Sequence, residues 1–144
     1  MIYVDTNVFV YAIEGHPKFG PSCKRILADI DGGALEAGCS MLVLAELINV
    51  LKRLNETEFH GQPRLRIDKN LEAVMSLPIV WFEMSLAVIE RASRYGFDVN
   101  GIDYIHVSTM ELNDVSEAIS ADRDLDKVGV IKRIDTLQYV ESKK

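Results

Sequence analysis

A three-layer α/β/α architecture, with helices covering both faces of a mainly parallel sheet of four or five strands, is the fold class these 144 residues predict. Two observations carry it. Short apolar runs rich in β-branched and aromatic residues, the kind that suit buried strands, recur at 2–4, 35–39, 79–81, 118–120 and 130–131. Between them lie longer segments whose apolar residues follow helical spacing, and alternating strands and helices bury a parallel sheet on both sides. No repeat, low-complexity tract or linker divides the chain, so one domain over residues 1–144 is expected.

The elements follow in order. Ile2-Tyr3-Val4 predicts a first strand, with Asp5 at its carboxyl end and a helix from Val8. That edge is where open α/β sheets place ligands, although Asp5 or Thr6 could equally serve as a plain helix N-cap. Gly20-Pro21 marks a turn, and a helix from Ser22 is stopped by Gly32-Gly33. After a short strand at 35–39, Ser40 is the expected N-cap of a helix over 41–54, its apolar stripe formed by Leu44, Leu47, Ile48 and Leu51. Residues 55–66 are polar, carry Gly61 and Pro63, and read as a mobile connection. A helix over 71–77, a strand at 79–81 and a helix over 86–95 capped by Ser85 come next. Then follow a helix over 102–112, strands at 118–120 and 130–131, and a terminal helix over 136–140.

Composition narrows the function. Sixteen Lys and Arg against 22 Asp and Glu give a net charge of −6, which makes the chain a poor generic phosphate binder. If it handles nucleic acid, cations or a local basic patch must supply the missing charge. No apolar run approaches the roughly 20 residues that span a bilayer. No basic stretch precedes the first apolar run, which argues against a signal peptide. Cys23 and Cys39 form no metal-binding pattern and suit a reducing, cytoplasmic setting.

Three further acids share the placement of Asp5. Glu46 lies within Leu44-Ala45-Glu46-Leu47-Ile48, where it faces either solvent or the sheet edge. Asp103 falls in the first turn of its helix, where a capping role competes. Asp122 directly follows the 118–120 strand, with Asp124 and Asp126 behind it. In a parallel sheet these positions converge on one edge. Carboxylates about 5 Å apart repel by about 3 kcal/mol per pair at an effective dielectric near 20, so protons or divalent cations must relieve them. An all-oxygen set without a Cys or His cluster suits Mg2+ or Mn2+.

In this arrangement the chain resembles the PIN-domain ribonucleases, in particular the VapC-type toxins of prokaryotic toxin–antitoxin pairs. The resemblance runs nearly end to end and is anchored by Ile2-Tyr3-Val4-Asp5-Thr6-Asn7, Leu44-Ala45-Glu46, 101–107 (Gly-Ile-Asp-Tyr-Ile-His-Val) and 119–126 (Ile-Ser-Ala-Asp-Arg-Asp-Leu-Asp). It implies a PIN-like fold and assigns metal binding and catalysis to Asp5, Glu46, Asp103 and Asp122. Thr6, Asn7, Ser120 and Asp124 would orient those acids, and Mg2+ or Mn2+ would be the cofactor. The family commonly has an aromatic residue after its last acidic motif, where this chain has Leu125 and Val128, and residues 55–66 match no family pattern.

The activity implied is metal-dependent hydrolysis of RNA phosphodiesters, leaving a 5′-phosphate and a 3′-hydroxyl, with a protein antitoxin as partner and a homodimer as the assembly. His106, one helical turn past Asp103, is expected to pack or support the acids rather than react. Lys52, Arg53, Arg123 and Lys132 are candidate phosphate contacts. Aspartyl-phosphate phosphatases would need an acid at position 7, where Asn7 stands, and receiver domains would need paired acids beside Asp5. No P-loop motif occurs. A PIN-like DNA or flap nuclease and an inert PIN-like binding module remain the alternatives.

Overall fold

The computed structural model describes residues 1–58, 60 and 64–144. Its elements are β1 (Ile2–Val4), α1 (Thr6–Glu14), α2 (Gly20–Asp31), β2 (Ala37–Ser40), α3 (Leu42–Thr57), α4 (Ile67–Met75), β3 (Ile79–Phe82), α5 (Leu86–Ala92), α6 (Gly101–Leu112), β4 (Glu117–Ile119), β5 (Lys132–Ile134) and α7 (Thr136–Glu141). A short 3-10 turn, Arg123–Lys127, sits between β4 and β5. The five strands lie in the order β3-β2-β1-β4-β5, and every pairing is parallel. The chain steps outward from β1 through β2 to β3, then crosses to the other flank of β1 for β4 and β5. The order therefore reverses between β1 and β4, and crevices at such switch points are where α/β sheets bind ligands.

Side-chain alternation along the strands sorts the two faces. Val4, Ala37, Cys39 and Ile119 join the larger core with Val8 and Phe9 of α1, Ile26 and Ile30 of α2, Leu47 and Leu51 of α3, Leu71 of α4 and Tyr139 of α7. Tyr3 and Ala118 point the other way, where they meet Met110 of α6, Val115 and the half-buried Phe82. Helix α5 is tied to α6 by the Ser108 hydroxyl, which donates to the Val88 carbonyl at 2.7 Å. Both cysteines are buried and free, and no helix among the described residues is long and apolar enough to cross a membrane.

Several elements depart from the sequence expectation, each for a local reason. Helix α1 starts at Thr6 rather than Val8, because Asp5 itself occupies the N-cap position. Gly20-Pro21 opens α2 instead of forming a separate turn, since a first-turn proline lacks only an N–H that would be unpaired anyway. Ser40 ends β2 instead of capping α3, though its Oγ still accepts the Leu42 N–H at 3.1 Å. Ile48, expected in the core stripe, is 46% exposed, and the buried stripe runs through Val43, Leu47 and Leu51.

Helix α3 continues to Thr57, and Asn55 within it accepts the Arg64 and Leu65 N–H groups while donating to the Leu65 carbonyl. The rest of the expected mobile connection, at 59 and 61–63, lies outside the described residues. Helix α4 starts at Ile67 rather than Leu71, and α5 ends at Ala92 rather than Tyr95. The fifth strand is Lys132–Ile134, not Val130-Ile131. There the Arg133 side chain packs against its ion partners and β5 pairs with β4 in the register Ala118↔Arg133.

Gly38 in β2 leaves space that neighbouring side chains fill: a Cβ there would lie 2.6 Å from the Phe82 ring and 2.9 Å from the Met1 sulfur. Gly38→Val is expected to lower unfolding stability by about 1–3 kcal/mol through overpacking. Chemical denaturation checks this, and an unchanged midpoint would show that Phe82 and Met1 simply swing aside.

Candidate active site

Asp5 follows β1 at the switch point and keeps its backbone in the sheet, its N–H donating to the Ile119 carbonyl at 3.1 Å. Its carboxylate collects donors from three places. Oδ1 accepts the Thr6 N–H at 2.8 Å, and Oδ2 accepts the Ser120 hydroxyl at 2.7 Å and the Asn7 amide at 3.2 Å. Asn7 extends the stitch across the β1–β4 gap, its amide also donating to Ser120 Oγ at 3.0 Å while its Oδ1 accepts the Ala121 N–H at 3.1 Å. Ser120 Oγ in turn accepts the Asp122 N–H at 3.0 Å. The residue types at 5, 7 and 120 thus form one network that no single motif announces.

The other three acids arrive from separate elements. Glu46, on α3, is half-buried and faces the cleft rather than solvent. Its Oε1 accepts the Thr6 hydroxyl at 2.9 Å and lies 2.6 Å from His106 Nε2. Asp103 does not cap α6, because Asn100 does so by accepting the Ile102 N–H at 2.8 Å. Asp122 caps the 3-10 turn, its Oδ1 accepting the Asp124 N–H at 2.9 Å. Asp124 itself supports Asp122 only through that N–H, since its carboxylate pairs with Lys127 at 3.3 Å away from the cleft.

Asp5, Glu46, Asp103 and Asp122 line one cleft of about 350 Å³, walled also by Thr6, Asn7, Tyr11, Glu14, Val50 and Arg53. Their proximity registers in their acidities. Burial pushes the Asp103 carboxyl up to about 6, and the charges of Asp5, Asp122 and Glu46 push it the same way against the pull of His106. For Glu46, burial raises the pKa, but the hydrogen bonds from His106 and Thr6 outweigh it and leave the group below its ordinary value. Burial also keeps the Tyr3 phenol protonated well beyond its usual range, with Cys39, Asp5 and Glu46 adding to the shift.

Among the described residues no three His, Cys, Asp or Glu side chains converge tightly enough to hold an ion as they stand. Mg2+ keeps several waters and takes only one or two carboxylates directly, so an open set of hard oxygen donors fits such a cation better than zinc.

Of the candidate phosphate contacts, only Arg53 lines the cleft. Lys52 pairs with Glu56 at 2.7 Å and Lys132 with Glu117 at 3.8 Å, while Arg123 lines a neighbouring concavity with Lys18, Phe19 and Arg133. Three contributors escaped the sequence reading. Tyr3 reaches His106 Nδ1 at 2.5 Å, and a tyrosine inside a buried strand was itself a signal, because its hydroxyl needs a partner. Tyr11 brings a phenol to the cleft wall. Arg133, only 9% exposed at its side chain, grips Asp126 with two nitrogens and donates to the Ser120 carbonyl at 2.9 Å, bracing the loop that carries Asp122.

Comparison with known proteins agrees with this fold. VapBC2 from Rickettsia felis, solved bound to a DNA fragment from its promoter, superposes with a TM-score of 0.67 at 18% identity over 94% of this chain and 98% of that one. VapC20 of Mycobacterium tuberculosis, described as a sarcin-ricin loop cleaving toxin, gives 0.70 at 18% identity over 90% and 95%. A toxin–antitoxin complex from Klebsiella pneumoniae gives 0.63 at 16% identity over 91% and 95%. At these identities the likeness is one of fold. A comparison with curated protein sequences found no match. The PIN-domain family model, however, matches residues 2–131, a span that holds all four acids and four of the five strands, and the chain belongs to the PIN-domain family.

Proposed function

We propose that the protein is a Mg2+- or Mn2+-dependent endoribonuclease, the toxin of a VapBC-type toxin–antitoxin pair acting in the cytoplasm. The observation that carries this reading is the placement of four carboxylates from four elements in one cleft at the β1–β4 switch point. Asp5, Glu46, Asp103 and Asp122 would hold the cation, one or two of them directly and the others through its waters. Bound there, it would activate a water, offset phosphate charge and stabilise the leaving oxygen. The chain's own part is positional. Ser120, Asn7 and Thr6 fix Asp5 in one rotamer, Thr6 and His106 fix Glu46, and Arg53 on the cleft wall supplies a phosphate contact that the net charge of −6 otherwise lacks. Asp103, whose carboxyl pKa is raised to about 6, is suited to take a proton near neutral pH.

The neighbours solved as toxin–antitoxin complexes support a protein antitoxin as partner. A homodimer fits the apolar side chains left in solvent on α3 and α5, where Leu86 is 88% exposed and Ile48 and Ile89 are also exposed. Light scattering should return twice the 16.2 kDa chain mass at micromolar concentration, and a monomer would count against the dimer.

The deciding assay is RNA cleavage with Mg2+ or Mn2+. Chelation by EDTA should abolish cleavage. Asp5→Asn should lower it on the order of 100-fold or more, since loss of about 3 kcal/mol of transition-state stabilisation corresponds to two factors of ten. Cleavage surviving both controls sinks the metal mechanism. Cleavage of DNA alone would favour a flap-type nuclease, and metal binding without cleavage an inert module.

The Asp103 acidity sets a pH dependence of definite sign. Its folded pKa of about 6 lies above the ordinary 3.8, so the folded state binds the proton more tightly. This favourable contribution is full below about 4 and is lost as pH rises to about 6. The metal-free melting temperature of wild type should therefore fall relative to Asp103→Asn between pH 4 and 7. In the same range Mn2+ affinity should rise with pH and level off above 6, as the cation ceases to compete with the proton. Parallel melting curves for the two proteins would refute the assignment.

A further inference from the structure

A chain of hydrogen bonds runs from the backbone of β2 through the middle of the protein to Glu46. The Ser40 N–H donates to the Tyr3 hydroxyl at 3.1 Å, Tyr3 Oη meets His106 Nδ1 at 2.5 Å, and His106 Nε2 meets Glu46 Oε1 at 2.6 Å. Tyr3 is 1% exposed and His106 4%, so water does not substitute for any link. The rings contact edge to face, with centroids 5.6 Å apart.

Counting donors settles the direction of the chain. Tyr3 Oη already accepts from Ser40, and among the described residues its own proton has only Nδ1 to go to. Nδ1 is therefore the acceptor, the ring proton sits on Nε2, and Nε2–H donates to Glu46. The Thr6 hydroxyl donates to the same oxygen. With Oε1 doubly claimed, Oε2 is the oxygen that no described donor occupies.

We propose that Tyr3 and His106 are positioning residues for Glu46: the phenol selects the Nε2–H tautomer of His106, which with Thr6 pins Oε1 and leaves Oε2 for a divalent cation. The proposal rests on the metal-site reading above, and it adds a buried strut that reaches the site from the opposite face of the sheet. Outer partners of this kind orient a ligating carboxylate without touching the cation. Removal of the Tyr3 hydroxyl frees the ring to carry its proton on Nδ1. An Nε2 lone pair would then face the carboxylate, and Glu46 would turn away.

The test has two independent readouts on the full chain. Long-range ¹H–¹⁵N spectra at pH 8 should show wild-type His106 as the neutral Nε2–H tautomer and show that signature lost in Tyr3→Phe. Calorimetric titration with Mn2+ should show binding weakened about 10- to 100-fold in Tyr3→Phe and His106→Ala, the range seen when outer partners of metal ligands are removed. His106→Gln, whose amide N–H can stand in for Nε2–H, should recover most of that loss. In cleavage assays the same variants should lose kcat with KM for RNA little changed.

An Nδ1–H or doubly protonated ring in the wild type overturns the proposal. So does a Tyr3→Phe protein that melts cooperatively and binds Mn2+ as tightly as wild type. If His106→Ala fails to fold, the ring spectra and Tyr3→Phe still decide. If wild type and Asp5→Asn bind Mn2+ alike, the metal-site reading has failed, and the ring tautomer then judges the strut alone.

Discussion

The constraint on which the site depends is the closure of the β1–β4 gap around one half-buried carboxylate. Between these strands the chain reverses its direction of travel across the sheet, which opens a crevice at the strand ends that side chains hold together. Asp5 does this by accepting from Thr6, Asn7 and Ser120, while Asn7 reaches on to the Ala121 N–H. An unpaired carboxylate here would be costly, and hydrogen bonds to a charged acceptor contribute about 1.5–3 kcal/mol each. The donors stabilise the charge without neutralising it. The network can therefore fix Asp5 in place and still leave net negative potential in the cleft.

That negative potential explains the bracing behind the site. Five carboxylates in one cleft, Glu14 with the four acids, oppose compaction, and the elements carrying them must be fastened elsewhere. Arg133 fastens β5 and the turn after β4 by engaging Asp126, Asp135 and the Ser120 carbonyl from one guanidinium. Three acceptors satisfy most of its planar donor fork, which is why an arginine tolerates this partly buried position. The brace and the cleft share Ser120: its carbonyl is held by Arg133 and its hydroxyl by Asp5. A shift at β5 would therefore reach Asp5 through a single residue.

Much of this was legible in the sequence, and the failures have physical causes. The four acids could be read because strand ends, caps and helix faces are local properties, and a parallel sheet brings them together. Asp5 posed a choice between cap and site residue, and the two are compatible: it stands at the N-cap of α1 while its carboxylate lines the cleft. Strand β5 was misplaced because Lys132-Arg133-Ile134 looks like surface. Only the pairing with Asp126 and Asp135 lets the Arg133 side chain be largely covered, and ion partners are invisible to a hydropathy pattern. Tyr3 and His106 are 103 residues apart, so no spacing rule joins them. Ile48 followed the helical period yet lies outside the buried stripe, since periodicity gives an apolar face without saying what covers its margin.

The electrostatics also bear on how an anionic substrate could enter at all. The net charge of −6 matters little at a distance, because salt screens exposed charges beyond about 8–10 Å. Opposition is concentrated at the cleft, where Asp5, Glu14, Glu46, Asp103 and Asp122 act over short range and Arg53 is the one Lys or Arg on the wall among the described residues. Without a cation, Asp103 relieves part of the repulsion by holding a proton up to about pH 6. A phosphate approaching that cleft gains Arg53 and meets five carboxylates, Glu14 among them. On the proposed reading a divalent cation reverses this balance, so it must precede or accompany the phosphate. A basic segment of a partner protein would meet the same cleft with the opposite sign and could occupy it without metal. The same unrelieved charge that prepares the site for catalysis would thus make it a target for inhibition.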